Sequence, residues 1–320
     1  MPVLVEREQR EHGVKAVGAA RRREAIEGYL FISPWIVGLL LFTLAPVIFA
    51  LYISFTSYDI VGWPPKLVGL DNYKTLFTTD KYFVHSLWNT LYYAVGSTAV
   101  GLIVGLGLAV LLNQNLRGST LLRTLFYIPG ILPAVGMSLI FIFVFDPGFG
   151  LINRVLESIG LVGQDNPPGW LKDDRLSMPT VISWSFWGMG GTMLIFLAGL
   201  QGVPQALQEA ASIDGAGKIR SFFSITLPLL TPTIFFNAVV GLIGAFQEVT
   251  KFYLTAGATG TGPNDSLITT IFYIYQQGWS YLHMGLAAAA AWVLFLVILV
   301  FTLIQIKGSA LWVFYSEERR

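Results

Sequence analysis

Gln208–Pro228 reads QEAASIDGAGKIRSFFSITLP, a polar island with apolar, membrane-length runs on both sides. Pro204 suits a first helical turn, and Ala206 to Ile213 are mostly good helix formers. Gly215 and Gly217 offer the positive-φ freedom that a sharp reversal needs. Lys218 to Ile225 can then form a second short helix, with Pro228 opening the next apolar run. The spacing predicts helix, glycine turn, helix at a membrane surface.

The composition around this island agrees. The 320 residues are 54% hydrophobic and 12% charged, where soluble domains carry about 25% charged residues. An integral membrane protein is implied. A net charge of +1 argues against a nucleic-acid partner, which needs a strongly basic face. With no cysteine, thiolate metal sites and cysteine nucleophiles are excluded. His12, His85 and His283 lie far apart in sequence, so no metal site is expected.

Met1–Gly28 is polar and of mixed charge, and the run after it is too long for the apolar core of a signal peptide. We read residues 1–28 as an uncleaved cytoplasmic tail. Six apolar runs follow, at about Tyr29–Ile53, Ser86–Leu112, Leu121–Phe145, Met178–Leu200, Leu229–Leu254 and Leu282–Ile306. Each approaches the roughly 20 residues of a spanning helix, and each exceeds a barrel strand. Lipid cannot satisfy free backbone groups, so an all-α integral membrane domain over 29–306 is expected, with residues 307–320 as a second tail. Pro129 and Pro133 should kink the third helix. Gly101 and Gly105 form a small-residue face for close helix approach.

Lys and Arg fix the orientation. With the N-terminus inside, Arg7, Arg10, Lys15, Arg21, Arg22, Arg23, Arg117, Arg123, Lys218, Arg220, Lys307, Arg319 and Arg320 are inside. Lys66, Lys74, Lys81, Arg154, Lys172, Arg175 and the helix-end Lys251 are outside. The bias puts both termini and Gln208–Pro228 in the cytoplasm. Outside lie Gly69-Leu70-Asp71-Asn72-Tyr73, a turn at Asp146-Pro147-Gly148 before a short helix ending near Gly160, and the glycine-rich Thr255–Asn264. Trp35, Tyr52, Trp63, Trp170, Trp279 and Tyr281 fall near helix ends, as interfacial aromatics do.

Glu209-Ala210-Ala211, Gly215, Ile225, Leu227 and Pro228 keep the spacing of the EAA loop in membrane subunits of bacterial ABC importers, and residues 204–228 resemble that loop. Ser33-Pro34-Trp35, the Pro46 to Thr56 stretch, Gly69–Tyr73, Phe145-Asp146-Pro147 and Thr255–Pro263 extend the likeness. The chain is similar to a compact six-helix MalF-type permease from about Gly28 to Lys307, without the extra N-terminal helices and large periplasmic insertion of the maltose permease. The resemblance implies the type I ABC importer (MetI-like) fold in the bacterial inner membrane. It implies a MalG-type second permease subunit, two ATPase subunits and an extracytoplasmic solute-binding protein as partners, besides membrane lipid. The solute implied is a carbohydrate, with glycerol-3-phosphate or a polyol as the alternative. A stand-alone secondary transporter would leave the EAA loop unexplained.

No nucleotide site is visible. In Gly215-Ala216-Gly217-Lys218 the residue at 212 is Ser, where a phosphate loop needs its first glycine, and Ile219 follows the lysine. No cofactor is therefore expected on this chain, ATP and magnesium being used by the partner ATPases, and no catalytic residue is assigned. For coupling, Ala210 and Ala211 keep one helix face small, Glu209 and Asp214 can pair across an interface or cap backbone donors, and Leu227-Pro228 joins the loop to the fifth helix. Polar groups at membrane depth are costly and usually functional. Asn237, Gln247, Glu248, Lys251 and Asn89 are candidate pathway residues, and Trp184 and Trp187 can offer ring faces. Glu248 and Lys251, three apart, would share one helix face. They read either as a structural ion pair near the outer end or as part of a polar pathway wall, and the tryptophans either as pathway or as packing.

Overall fold

The computed structural model describes residues 22, 24–60, 62, 64–114, 117–163, 166–256 and 261–314. The tail over 1–21 and 23, Trp63, the centre of the glycine-rich loop at 257–260 and the end at 315–320 lie outside them. Among the described residues the architecture is helical, with two isolated bridges, Thr56–Leu67 and Asp59–His283, as its only strand-like pairings.

Three helices are continuous spans: α1 (Glu24–Ser54), α3 (Phe83–Leu112) and α14 (Met284–Ser309). Three bent pairs are long and apolar enough to span only when both helices are taken together. α4 (Ser119–Ile131) meets α5 (Ala134–Val144) at 102°, α7 (Asp174–Phe186) meets α8 (Gly190–Gln201) at 47°, and α10 (Lys218–Leu229) meets α11 (Thr231–Phe246) at 63°. Shorter helices fill the connections: α2 (Asp71–Lys74), α6 (Leu151–Ser158), α9 (Gln205–Ile213), α12 (Thr250–Thr255) and α13 (Thr270–Tyr275).

The bend in the third span is the one its prolines led us to expect, whereas those in the fourth and fifth were not foreseen. Leu132, just before Pro133, is extended at ψ 146°, because a residue preceding proline is pushed out of the helical region. Pro133 thus breaks the third span, while Pro129 rides inside α4. The fifth run is not one helix from Leu229 to Leu254. α11 stops at Phe246, Gln247 caps it, and the chain restarts as α12 at Thr250. The short helix expected near Gly160 is α6, and Gly160 closes it at φ 73°.

α3 is the central post, packed against α7, α8, α11 and α13. Small residues allow the approach: a methyl group at Gly96 would meet Ile182 at 2.8 Å, and one at Gly105 would meet Thr192 at 2.9 Å. Gly101, its partner in the expected small-residue face, touches nothing in that way. α1 stands apart. It rests chiefly on α14, and only 6% of its most apolar stretch is buried by protein.

Two apolar cores sit at opposite ends of α3. One gathers Ala109, Leu112, Met193, Phe196, Leu197, Leu200 and Leu230 at the end that carries the α9–α10 hairpin. The other gathers Phe83, Tyr93, Val181, Phe252, Leu267, Phe272 and Tyr273 at the far end. The far end includes a segment that the sequence reading passed over. Leu267, Ile268, Thr269, Thr270, Phe272 and Tyr273 are all buried, so Leu267–Tyr275 folds into the bundle instead of bridging over it. Gly69–Tyr73 also proves structural: Asn72 Nδ2 donates to the carbonyls of Ser54 and Thr56, both at 2.8 Å, and locks the end of α1.

Candidate functional site

The hairpin is built as its glycine demands. α9 ends at Ile213 with Asp214 as its cap, and Gly215 turns left-handed at φ 77°. Ala216 N donates to Ala211 O at 2.9 Å and Gly215 N to Ser212 O at 3.1 Å. This pair of bonds is the Schellman closure, which favours a residue without Cβ strain. Gly217 needs no such freedom, since it lies extended at φ −67° and ψ 162° as the cap of α10. Pro204 sits one place before α9, as its cap.

Of the residues expected to serve coupling, Glu209, Ala210, Asp214 and Gly215 are exposed, and Ala211 is half-buried against the turn. Ile225, Leu227 and Pro228 are half-buried on α10, which continues to Leu229 before the 63° bend. Ile213 is 85% and Ile219 77% exposed, so the hairpin tip carries apolar side chains that no other described residue covers.

Between the two cores, α3, α7–α8 and α11–α12 line an open cavity of about 210 Å³. Tyr93, Ser97 and Thr98 line it from α3, Ser185 and Thr192 from the α7–α8 span, and Asn237, Gly241, Glu248 and Lys251 from the α11–α12 side. Asn237 is buried, and its Nδ2 donates to Thr233 O at 2.9 Å. The Thr98 hydroxyl is buried without a hydrogen-bond partner. Lys251 Nζ lies 3.5 Å from Glu248 Oε2 and donates to Tyr93 OH at 3.2 Å. The pair meets across the α11–α12 break, not on one helix face: Glu248 Oε1 accepts from Lys251 N at 3.2 Å and so helps to start α12.

Three residues of the expected pathway set lie elsewhere. Gln247 caps α11, is exposed, and does not line the cavity. Trp184 is buried, stacked on Phe141 with ring centres 4.2 Å apart, and has Lys251 Nζ 5.6 Å from its own ring centre. It offers no free ring face to a solute. Asn89 belongs to the far end, where its Nδ2 donates to Asp265 O and Ile268 O, each at 3.0 Å. Beside it Thr270 N donates to Thr90 Oγ1 at 2.8 Å, and Tyr273 OH donates to Asp80 Oδ2 at 2.7 Å. Burial, then the Asp80 contact, pushes the Tyr273 phenol above its ordinary range.

Sequence reasoning missed Ser97, Thr98, Ser185 and Thr192. Isolated hydroxyl residues in apolar runs carry no periodic signal, because they normally bond the preceding turn. No group of three or more His, Cys, Asp or Glu capable of holding a metal occurs among the described residues.

Residues 100–306 match the family model described as "Binding-protein-dependent transport system inner membrane component". The chain belongs to this family. The permease is 39% identical over 310 residues to the "Probable ABC transporter permease protein YesP" of Bacillus subtilis (strain 168), covering 96% of this chain and 98% of that protein. It is 38% identical over 283 residues to the "sn-glycerol-3-phosphate transport system permease protein UgpA" of Yersinia pestis, covering 87% and 92%. Among solved structures, it aligns with a chain of a bacterial ABC transporter "involved in the import of the acidic polysaccharide alginate" at a TM-score of 0.76 and 24% identity, over 90% of this permease and 96% of that chain. A second alginate transporter structure, in complex with an alginate pentasaccharide-bound periplasmic protein, gives 0.77 and 25%, over 90% and 95%. The type I importer permease fold expected from the sequence is thus established, and the described residues offer three helices long and apolar enough to span, or six spans where each bent pair counts as one.

Proposed function

We propose that this permease is the non-catalytic membrane subunit of a binding-protein-dependent importer that carries a carbohydrate into the cell. The observation that supports it most is the α9–α10 hairpin, closed at Gly215 and presenting exposed Ile213 and Ile219. Exposed apolar residues on a rigid turn suit a groove on a separate ATPase subunit, which would hydrolyse ATP with magnesium. In this reading Glu209, Ala210, Ala211, Asp214 and Gly215 form the docking element, and Ile225, Leu227 and Pro228 transmit its movement through the α10–α11 bend. A MalG-type permease completes the pathway, and an external binding protein delivers the solute. The hairpin and both termini are cytoplasmic, as the Lys and Arg distribution favours.

The carbohydrate reading draws on the alginate transporter, and on a cavity lined by hydroxyl and amide groups with one ion pair. Asn237, Glu248 and Lys251 are its proposed solute contacts. The second reading, glycerol-3-phosphate, is favoured by the similarity to UgpA. Purification of the tagged permease should bring down a second permease and an ATPase. Uptake by the assembled complex of a labelled oligosaccharide panel against labelled glycerol-3-phosphate separates the two solutes. Recovery of the permease without any ATPase would overturn the importer reading.

A further inference from the structure

Lys251 stands where the cavity ends, and three parts of the chain converge on its ammonium. Nζ donates to Tyr93 OH on α3 at 3.2 Å, lies 3.5 Å from Glu248 Oε2 at the α11–α12 break, and stands 5.6 Å from the ring centre of Trp184 on α7. Two of these partners are anchored by rings that do not line the cavity. Tyr93 packs edge-on against Phe252 at 4.7 Å, and Trp184 stacks on Phe141. Glu248 is held in addition by the backbone N–H of Lys251. Along α3 the cavity runs from Tyr93 towards Leu102, so this node closes the end away from the hairpin. Beyond it come Asn89, Thr90 and the buried Leu267–Tyr273 segment.

We propose that Lys251 does more than meet the solute: its ammonium draws α3, α7 and the α11–α12 junction together and seals the outer end of the solute cavity. The proposal rests on the importer reading for which end is outer. A cation that merely neutralised Glu248 would need neither the Tyr93 hydroxyl nor the Trp184 ring. A seal needs contacts on every wall it joins, and charge-assisted bonds between half-buried groups are stronger than neutral ones.

The chain contains no cysteine, so one introduced thiol reports the seal directly. Thr98→Cys places it on the cavity wall, expressed with the partner subunits in intact cells and challenged from outside with a membrane-impermeant maleimide. With Lys251 present, labelling is slow. Loss of a charge-assisted contact should raise the rate about tenfold in Lys251→Met, while Lys251→Arg stays slow. Lys74→Cys, exposed on the same face, reports how much protein is inserted in each background. Should Lys251→Met fail to accumulate, Tyr93→Phe removes only the accepting hydroxyl, and faster labelling of the cavity thiol is again expected. Unchanged labelling of the Thr98→Cys thiol in the inserted variants overturns the seal, provided that Ile213→Cys on the hairpin stays protected from outside. Rapid outside labelling of Ile213→Cys overturns the orientation and the importer reading with it.

Discussion

The two ends of the bundle are held by different kinds of force. At the far end, directional bonds join residues distant in sequence: Asn89 to Asp265 and Ile268, Thr90 to Thr270, Asp80 to Tyr273, Ser177 to Ser266. At the hairpin end the core is a cluster of Ala, Leu, Met and Phe side chains, with polar ties such as Arg123 to Leu112 O and Phe314 N to Thr231 Oγ1. Hydrogen bonds in a low-dielectric setting specify one register, and leaving them unmade is costly. Apolar contacts are non-directional and tolerate sliding between helices. The far end is therefore fixed in place, and the hairpin end is suited to move as a body.

The sharpest test of this contrast is a lesion that stops transport without unfolding the permease. Gly215→Val puts a β-branched residue at φ 77°, where the left-handed conformation costs about 1–2 kcal/mol. No neighbour lies within 4 Å of a methyl group there, so the strain is confined to the turn. Uptake by the reconstituted complex should fall to background and ATP hydrolysis should lose its response to solute, while thermal melting falls by no more than that local strain and the permease stays folded. Gly215→Asn, which tolerates the left-handed region, should keep most of the uptake.

The opposite lesion belongs at the far end. Asn89→Ala leaves the carbonyls of Asp265 and Ile268 without their donor and should cost about 1–3 kcal/mol of stability, read as a lower melting temperature of the purified complex. Solute-stimulated ATP hydrolysis well below that temperature should persist. A smaller loss, about 1 kcal/mol, is expected for Thr90→Val, which orphans the buried Thr270 N–H. Least of all, Lys74→Ala removes an ion pair with Asp71 whose side chains are 72% and 69% exposed, and melting should shift by less than about 0.5 kcal/mol equivalent. Equal sensitivity of both ends to such changes would erase the distinction.

The same contrast separates what the sequence made legible from what it hid. The hairpin could be read because local chemistry builds it: Gly215 turns, Pro204 starts, and the exposed helices answer to nothing distant. The spans could be read as apolar length, but their bends could not be graded, since Pro129 and Pro133 look alike in sequence and only Pro133 breaks the helix. The cavity was half visible. Asn237, Glu248 and Lys251 announced themselves as polar groups at depth, whereas Ser97, Thr98 and Thr192 became a wall only when three bent spans brought them together. Leu267–Tyr275 is apolar but too short to span, and its burial depends on Asn89 and Thr90, well over a hundred positions away. Trp184 could be read either way, because a tryptophan's stacking partner, here Phe141, is set by tertiary packing alone.

The isolation of α1 bears on how the chain is put together. Its main neighbour, α14, emerges from the ribosome after every other described helix. Until then α1 must hold its place in lipid on hydrophobicity alone, and at a mean hydropathy of 2.6 it can. The backbone bond from Gly285 to Tyr58 then joins the newest span to the oldest, like a clasp fastened last. Synthesis that stalls before Met284 would leave an inserted bundle with its first helix adrift.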